Sequence, residues 1–142
     1  MESVITSTWQ GKLAFVSSVG DHKVRTDAGA AHGGENSGAS PKMLMMVALA
    51  GCTGVDVAAI LEKMRIPVAA IAITVEGELT DDTPSVYTAM HIVYRFTGRQ
   101  LNAGKLQRAV ELSMDKYCGV SAMYRKIMDI TWEIRMVEGD GE

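Results

Sequence analysis

Two cysteines are the side chains in this sequence best suited to chemistry, and their settings differ. Cys52 lies in Ala50-Gly51-Cys52-Thr53-Gly54, and Cys118 lies between Lys116-Tyr117 and Gly119. Neither forms a CxxC pair, and two thiols alone cannot close a zinc site. Cys52 falls twelve residues beyond Ser40, well inside the helix that Ser40-Pro41 opens, so the helix dipole does not reach it. It reads either as a small core thiol or as a nucleophile activated from outside its helix by an arginine or another helix N-terminus. Gly51 and Gly54 each cost about 1 kcal/mol inside a helix, which points to close approach of another element. Asp56 follows one turn later on the same face. An unpaired carboxylate there would raise the thiol pKa, so a basic partner such as Arg65, Arg25 or a residue of a second subunit is expected.

Cys118 sits at the join of two helices. A thiol at a helix N-terminus beside an ammonium is acidified, so on spacing alone it is the more acidic of the two. The alternative is a semi-buried capping residue without chemistry. His22, His32 and His91 are scattered with no partners at ligand spacing, so no metal is expected. The run His32-Gly33-Gly34-Glu35-Asn36 could offer backbone N–H groups to an anion, or simply turn. The ten methionines read as adaptable core packing.

These residues must be positioned by a mixed set of elements. The first 27 residues alternate as three short strands, with Gln10-Gly11 and Gly20-Asp21 as turns. Ala28 to Ser40 is a glycine-dense loop without regular structure. Ser40 as N-cap and Pro41 at N1 start a helix that should run to about Arg65, before Pro67. Its only charge between Met43 and Leu61 is Asp56. A helix apolar on every side is expected to be buried all round, and part of that cover must come from a second subunit.

After Pro67 the period becomes two, first through Ile71, Ile73 and Val75. A second strand then places Val86, Met90, Ile92, Tyr94 and Phe96 on one face and Tyr87, His91 and Arg95 on the other. Asn102 caps a helix whose inner stripe is Leu106, Ala109, Val110, Ser113, Met114 and Tyr117. A break at Cys118-Gly119 precedes a short helical segment, and Ile130 to Met136 forms the last strand. The order βββ-α-ββ-αα-β gives an α+β fold with mostly antiparallel sheet in one domain, residues 1–142.

Composition excludes several classes. Apolar residues make up 47% and charged residues 22%, which suits a soluble globular protein and not a disordered one. A net charge of −3 with a sequence pI near 5.6 argues against nucleic-acid binding. Met1-Glu2-Ser3-Val4 shows no secretory signal pattern. The uncharged stretch from Met43 to Val55 is shorter than the roughly 18–20 residues a bilayer crossing needs. A cytoplasmic protein with two reduced thiols is expected.

Gly33-Gly34-Glu35-Asn36, Ser40-Pro41 and Ala50-Gly51-Cys52-Thr53 with Asp56-Val57 resemble the central segment of the OsmC/Ohr family of osmotically inducible and organic-hydroperoxide-resistance proteins. Glu111-Leu112-Ser113 to Lys116-Tyr117-Cys118 resembles that family's second cysteine motif, and the element order matches along essentially the whole chain. The OsmC-like branch without an assigned role fits best, because the peroxidase members carry Glu directly after the helix-opening proline and this sequence has Lys42.

The resemblance implies an intertwined homodimer with antiparallel sheets wrapped around long, buried central helices. It implies a thiol-dependent peroxidase in which Cys52 attacks an organic hydroperoxide and Cys118 resolves the sulfenic acid, with a dithiol as reductant and no cofactor. By topology Arg25 is the candidate for the activating arginine. Glu35, Lys42 and Asp56 are the candidate substrate-binding residues. The alternative is a non-catalytic dimer that binds a small molecule or senses redox state.

Overall fold

Alternating side chains in the first 26 residues produce a three-stranded antiparallel meander in the computed structural model, which describes residues 1–140. Its strands are β1 (Thr6–Trp9), β2 (Phe15–Val19) and β3 (His22–Thr26), in that spatial order. Gly20 and Asp21 form a two-residue turn, with Gly20 at φ 59°, the positive φ that a tight hairpin needs at its first central position. The chain divides into two compact units, Met1–Met45 and the remainder from Met46.

The loop after β3 is better ordered than its composition predicts. Its ends are stitched by Asp27 N–H to the Ala39 carbonyl and Ala39 N–H to the Arg25 carbonyl, both 3.1 Å. Ala30–His32 makes a 3-10 turn within it.

The long helix α1 spans Met43–Lys63, two residues inside the expected start. Ser40, Pro41 and Lys42 instead accept 3.1 Å bonds from the N–H groups of Met43, Leu44 and Met45, a tightened first turn. Its C-terminus is a Schellman motif: Arg65 is left-handed at φ 57°, Arg65 N–H bonds to Glu62 and Ile66 N–H to Leu61. The single chain covers only part of this helix, as the expected contribution of a second subunit to its burial requires. Leu49, Thr53, Val57 and Leu61, every fourth residue, form its buried line, while only 22% of its most apolar 18 residues are buried. By length and composition this helix also meets what a membrane crossing requires, which the 13-residue uncharged stretch alone does not.

The second unit holds a sheet of order β4-β5-β6. β4 (Ala70–Leu79) and β5 (Tyr87–Gly98) pair antiparallel, whereas β6 (Asp129–Glu138) pairs parallel to β5. The mostly antiparallel expectation therefore holds in three of four pairings. The parallel pair needs a crossover, supplied by α2 (Ala103–Leu112), a π turn at Ser113–Tyr117 and α3 (Gly119–Tyr124). The Asn102 side chain caps α2 by accepting Lys105 N–H at 3.1 Å.

Met90, Ile92, Tyr94 and Phe96 of β5 face the core at 0–1% exposure, each contributing on the order of 2 kcal/mol by burial. Tyr87 and Val86 reverse their expected roles: Tyr87 is buried and Val86 exposed. The β4–β5 register shifts between Glu78 and Leu79, and such an irregularity inverts the facing of the residues beyond it. Tyr117 likewise leaves the expected inner stripe of α2 and is exposed. The π turn adds a residue to the helical repeat, and Lys116 Nζ instead sits 5.2 Å from the Tyr117 ring centre.

Candidate active site

The site is built where the middle of α1 meets the π turn after α2. Cys52 is half-buried and Cys118 buried, and both are free thiols. Cys52 lies close enough to Cys118 to act on its ionisation. The 65 residues between them include the β4–β5 sheet and α2, whose C-terminus leads into the π turn that delivers Cys118. The i→i+5 bond from Cys118 N–H to the Ser113 carbonyl, 2.7 Å, closes the π turn. Cys118 then caps α3, its Sγ accepting Ser121 N–H at 3.4 Å while Ser121 Oγ donates to the Cys118 carbonyl at 3.0 Å.

The acidity expected of Cys118 from its cap position is not found. Burial pushes its thiol pKa up, hydrogen bonds from Ser121 pull it down, and the hydrogen bond and charge of Cys52 push it up again. Lys116 does not offset this, since its ammonium rests over Tyr117. Burial thus favours the protonated form of Cys118.

Beside the thiols runs a line of buried hydroxyls. Tyr94 Oη and Thr53 Oγ1 are 2.7 Å apart, Thr53 Oγ1 and Ser113 Oγ are 2.7 Å apart, and Ser113 Oγ donates to Asp56 Oδ2 at 2.9 Å. Each hydroxyl has one proton to give. Because Ser113 gives its proton to the carboxylate, Thr53 must donate to Ser113 and Tyr94 to Thr53. The chain has one direction, from Tyr94 on β5 to Asp56 on α1. Burial, opposed by the Thr53 hydrogen bond and assisted by the charges of Cys118 and Asp56, pushes the Tyr94 pKa up to about 12, so Tyr94 keeps its proton.

Within the chain, Asp56 has the Ser113 hydroxyl as a partner. It also lines a cavity of about 400 Å³ with Ala59, Ile60, Met64, Leu112 and Tyr117. Of the two glycines flanking Cys52, Gly54 is the one that permits close approach: a Cβ there would stand 3.2 Å from the Ile73 side chain, whereas Gly51 faces open space.

Arg25, Glu35 and Lys42 belong to the first unit. Arg25 Nε donates to Ser37 Oγ at 3.0 Å, and Glu35 lies 3.9 Å from Lys12 Nζ across an exposed ion pair. Lys42 is exposed in the turn before α1. The residue that organises this region is Asp27, which sequence reasoning passed over as the end of a strand. Its buried carboxylate accepts from Ala28 N–H (2.7 Å), Glu35 N–H (3.3 Å), Ser37 N–H (3.0 Å) and Ser37 Oγ (2.6 Å). Those bonds, led by the Ser37 hydroxyl, lower its pKa to about 2. Gly34 is required there, because a Cβ would collide with the Ala28 carbonyl. The backbone N–H groups expected to face an anion in this loop include Glu35, whose N–H serves Asp27. Among the described residues no cluster of three or more metal-ligating side chains occurs.

The OsmC-like protein family model matches residues 34–133, a span that contains both cysteines and the hydroxyl chain. This chain belongs to the OsmC family. Escherichia coli (strain K12) Protein YhfA is 32% identical over 133 residues, covering 91% of this chain and 94% of YhfA. A crystal structure of a hypothetical protein from Aquifex aeolicus VF5 superposes with a TM-score of 0.81 at 29% identity, covering 96% of this chain and 98% of that one. The organic hydroperoxide resistance protein OhrB of Bacillus subtilis shares the fold at a TM-score of 0.68 and 18% identity, covering 95% of this chain and 98% of OhrB. The OsmC fold is thus common to members described as hydroperoxide-resistance proteins and to members without an assigned activity.

Proposed function

We propose that this OsmC-family protein is a thiol peroxidase for organic hydroperoxides, acting as a homodimer. The observation that carries the reading is the proximity of Cys52 to Cys118, which with burial pushes the Cys118 thiol pKa up. The Cys52 thiolate attacks the outer oxygen of R–OOH; the O–O bond breaks, the alkoxide takes a proton and leaves as R–OH, and Cys52 becomes a sulfenic acid. The Cys118 sulfur then displaces the hydroxyl, whose oxygen leaves as water with the Cys118 proton, and a disulfide forms. A dithiol reduces that disulfide by two successive exchanges. The mostly apolar cavity beside Asp56 favours hydroperoxides with a hydrocarbon body over hydrogen peroxide.

The homodimer is supported by the face of α1 that the single chain leaves uncovered. Val47 and Val55 are 62% and 71% exposed, and Gly51 and Ala58 beside them are also exposed. A second copy covering this face would remove an apolar strip that soluble monomers rarely expose. Monomeric elution at micromolar concentration, with a folded circular dichroism spectrum, would contradict it. Steady-state reduction of cumene hydroperoxide with dihydrolipoamide tests the activity. Turnover lost in both Cys52→Ser and Cys118→Ser is the expected result. Absence of turnover in the intact dithiol protein would leave the binding or redox-sensing reading in its place.

A further inference from the structure

Ser113 occupies two roles at once. Its carbonyl accepts Cys118 N–H at 2.7 Å and so closes the π turn that presents the second thiol. Its hydroxyl is tied to α1 through Thr53 Oγ1 at 2.7 Å and Asp56 Oδ2 at 2.9 Å. Thr53 adjoins Cys52 in sequence, and Asp56 lies one turn further along the same helix. The residue is fully buried, as are Thr53 and Tyr94. This hydroxyl chain fixes polar atoms of the π turn against α1, its three hydroxyls and one carboxylate satisfied by one another.

We propose that Ser113 is a positioning residue that sets the approach of Cys118 to Cys52, and with it the rate of disulfide closure. The proposal rests on the reading that these two thiols form a disulfide, but not on peroxide being the oxidant. The direction of the chain supports it. Because Ser113 Oγ donates to Asp56 Oδ2, the Ser113 proton is committed toward α1 and the Thr53 proton toward Ser113, so neither rotor is free to turn away. A π turn has a wider and less regular backbone than an α-helix, so its carbonyl at Ser113 needs an external anchor to hold Cys118 in one place. Displacement of a reacting group by about 1 Å costs up to about a hundredfold in rate. Closure is the step in which the distance between the two sulfurs matters; reaction of Cys52 alone does not depend on it.

Diamide provides a test that leaves peroxide chemistry out. One thiolate adds to its N=N bond, the second sulfur displaces the adduct, and the products are a disulfide and the hydrazine, with both thiol protons ending on nitrogen. Closure is followed in the intact dithiol protein by loss of free thiol after one equivalent of diamide. The first addition is measured separately in a Cys118→Ser background. Ser113→Ala is expected to slow closure about tenfold or more and to leave addition at Cys52 within about twofold. Asp56→Asn, which keeps an acceptor oxygen for the Ser113 hydroxyl, is expected to close at nearly the wild-type rate, whereas Asp56→Ala slows closure in the same sense as Ser113→Ala. Closure by Ser113→Ala at the wild-type rate would overturn the proposal. So would equal slowing of addition and closure, the mark of general loosening. Should Ser113→Ala fail to fold, Asp56→Ala against Asp56→Asn decides by the same criteria. If the wild-type protein itself forms no Cys52–Cys118 disulfide with diamide, the pairing of the thiols fails and the proposal with it. Normal closure without hydroperoxide turnover would refute only the peroxidase reading.

Discussion

Two buried polar clusters of this protein are built in opposite ways. Asp27 gathers four hydrogen bonds from residues one, eight and ten positions away, so one carboxylate shapes one loop. The Tyr94–Thr53–Ser113–Asp56 chain joins residues separated by 41, 60 and 57 positions. It ties together a strand, the long helix and the π turn. In the first cluster the charge is central and every bond converges on it; in the second the charge is terminal and gives a line of neutral hydroxyls its direction. Damage to the first should stay in the loop. Damage to the second should reach the thiols, because the elements it joins are those that carry Cys52 and Cys118.

Gly34→Ala probes the loop most harshly. Its Cβ would meet the Ala28 carbonyl, and backbone cannot move aside as a side-chain tip can. The expected cost is about 3 kcal/mol, read as a lower denaturation midpoint, with the Cys52–Cys118 closure rate in diamide unchanged. A slowed closure would break the separation of the two regions.

Thr53→Val removes the middle of the hydroxyl chain while keeping shape. It leaves the Tyr94 donor and a Ser113 acceptor unsatisfied in the core, an expected loss of about 2 kcal/mol that should be accompanied by slower closure. Tyr94→Phe removes only the outer end and leaves Thr53, Ser113 and Asp56 linked. Its expected cost is about 1 kcal/mol in denaturant titration, with closure unaffected. Equal effects from these two variants would show that the chain has no functional direction.

Acidification gives the mildest effect over the ordinary pH range. The Asp27 carboxyl is held at about 2 against its usual 3.8, so the folded form favours the ionised state. Its stabilisation is complete above pH 3.8 and is lost as pH falls from there to about 2. Amide-exchange protection at Ala28, Glu35 and Ser37 should be steady between pH 7 and pH 5 and fall away below 3.8. Protection lost already at pH 5 would contradict the assignment of Asp27 as the organiser.

Period and capping made the elements legible in the sequence: the alternation of Met90, Ile92, Tyr94 and Phe96, Asn102 as a cap, and the break at Cys118-Gly119 all have counterparts in the structure. What was not legible arises from interactions that have no local period. The register shift at Glu78/Leu79 exchanges the faces of Val86 and Tyr87, and the π turn swings Tyr117 outward. Ser113 could be read as part of an inner helical stripe and Tyr94 as a core aromatic. Their hydroxyls meet only after α1, β5 and α2 have packed, so no spacing announces the chain. The acidity of Cys118 was misread for the same reason: the cap geometry is local and visible in sequence, while the burial that outweighs it is tertiary. Cys52, Cys118 and Asp56 stood out by residue type and spacing, and the family resemblance supplied the roles expected of them. Asp27 was missed, although an aspartate opening a Gly/Ser-rich loop is a signal that could have been used.

The assignment of separate roles to the two thiols is tested most directly by trapping sulfenic acid with dimedone on limiting cumene hydroperoxide and locating the adduct by mass spectrometry. The account predicts an adduct on Cys52 in Cys118→Ser, none on Cys118 in Cys52→Ser, and a Cys52–Cys118 disulfide in the unaltered protein. Labelling of Cys118 in Cys52→Ser as fast as Cys52 labels in Cys118→Ser would contradict it.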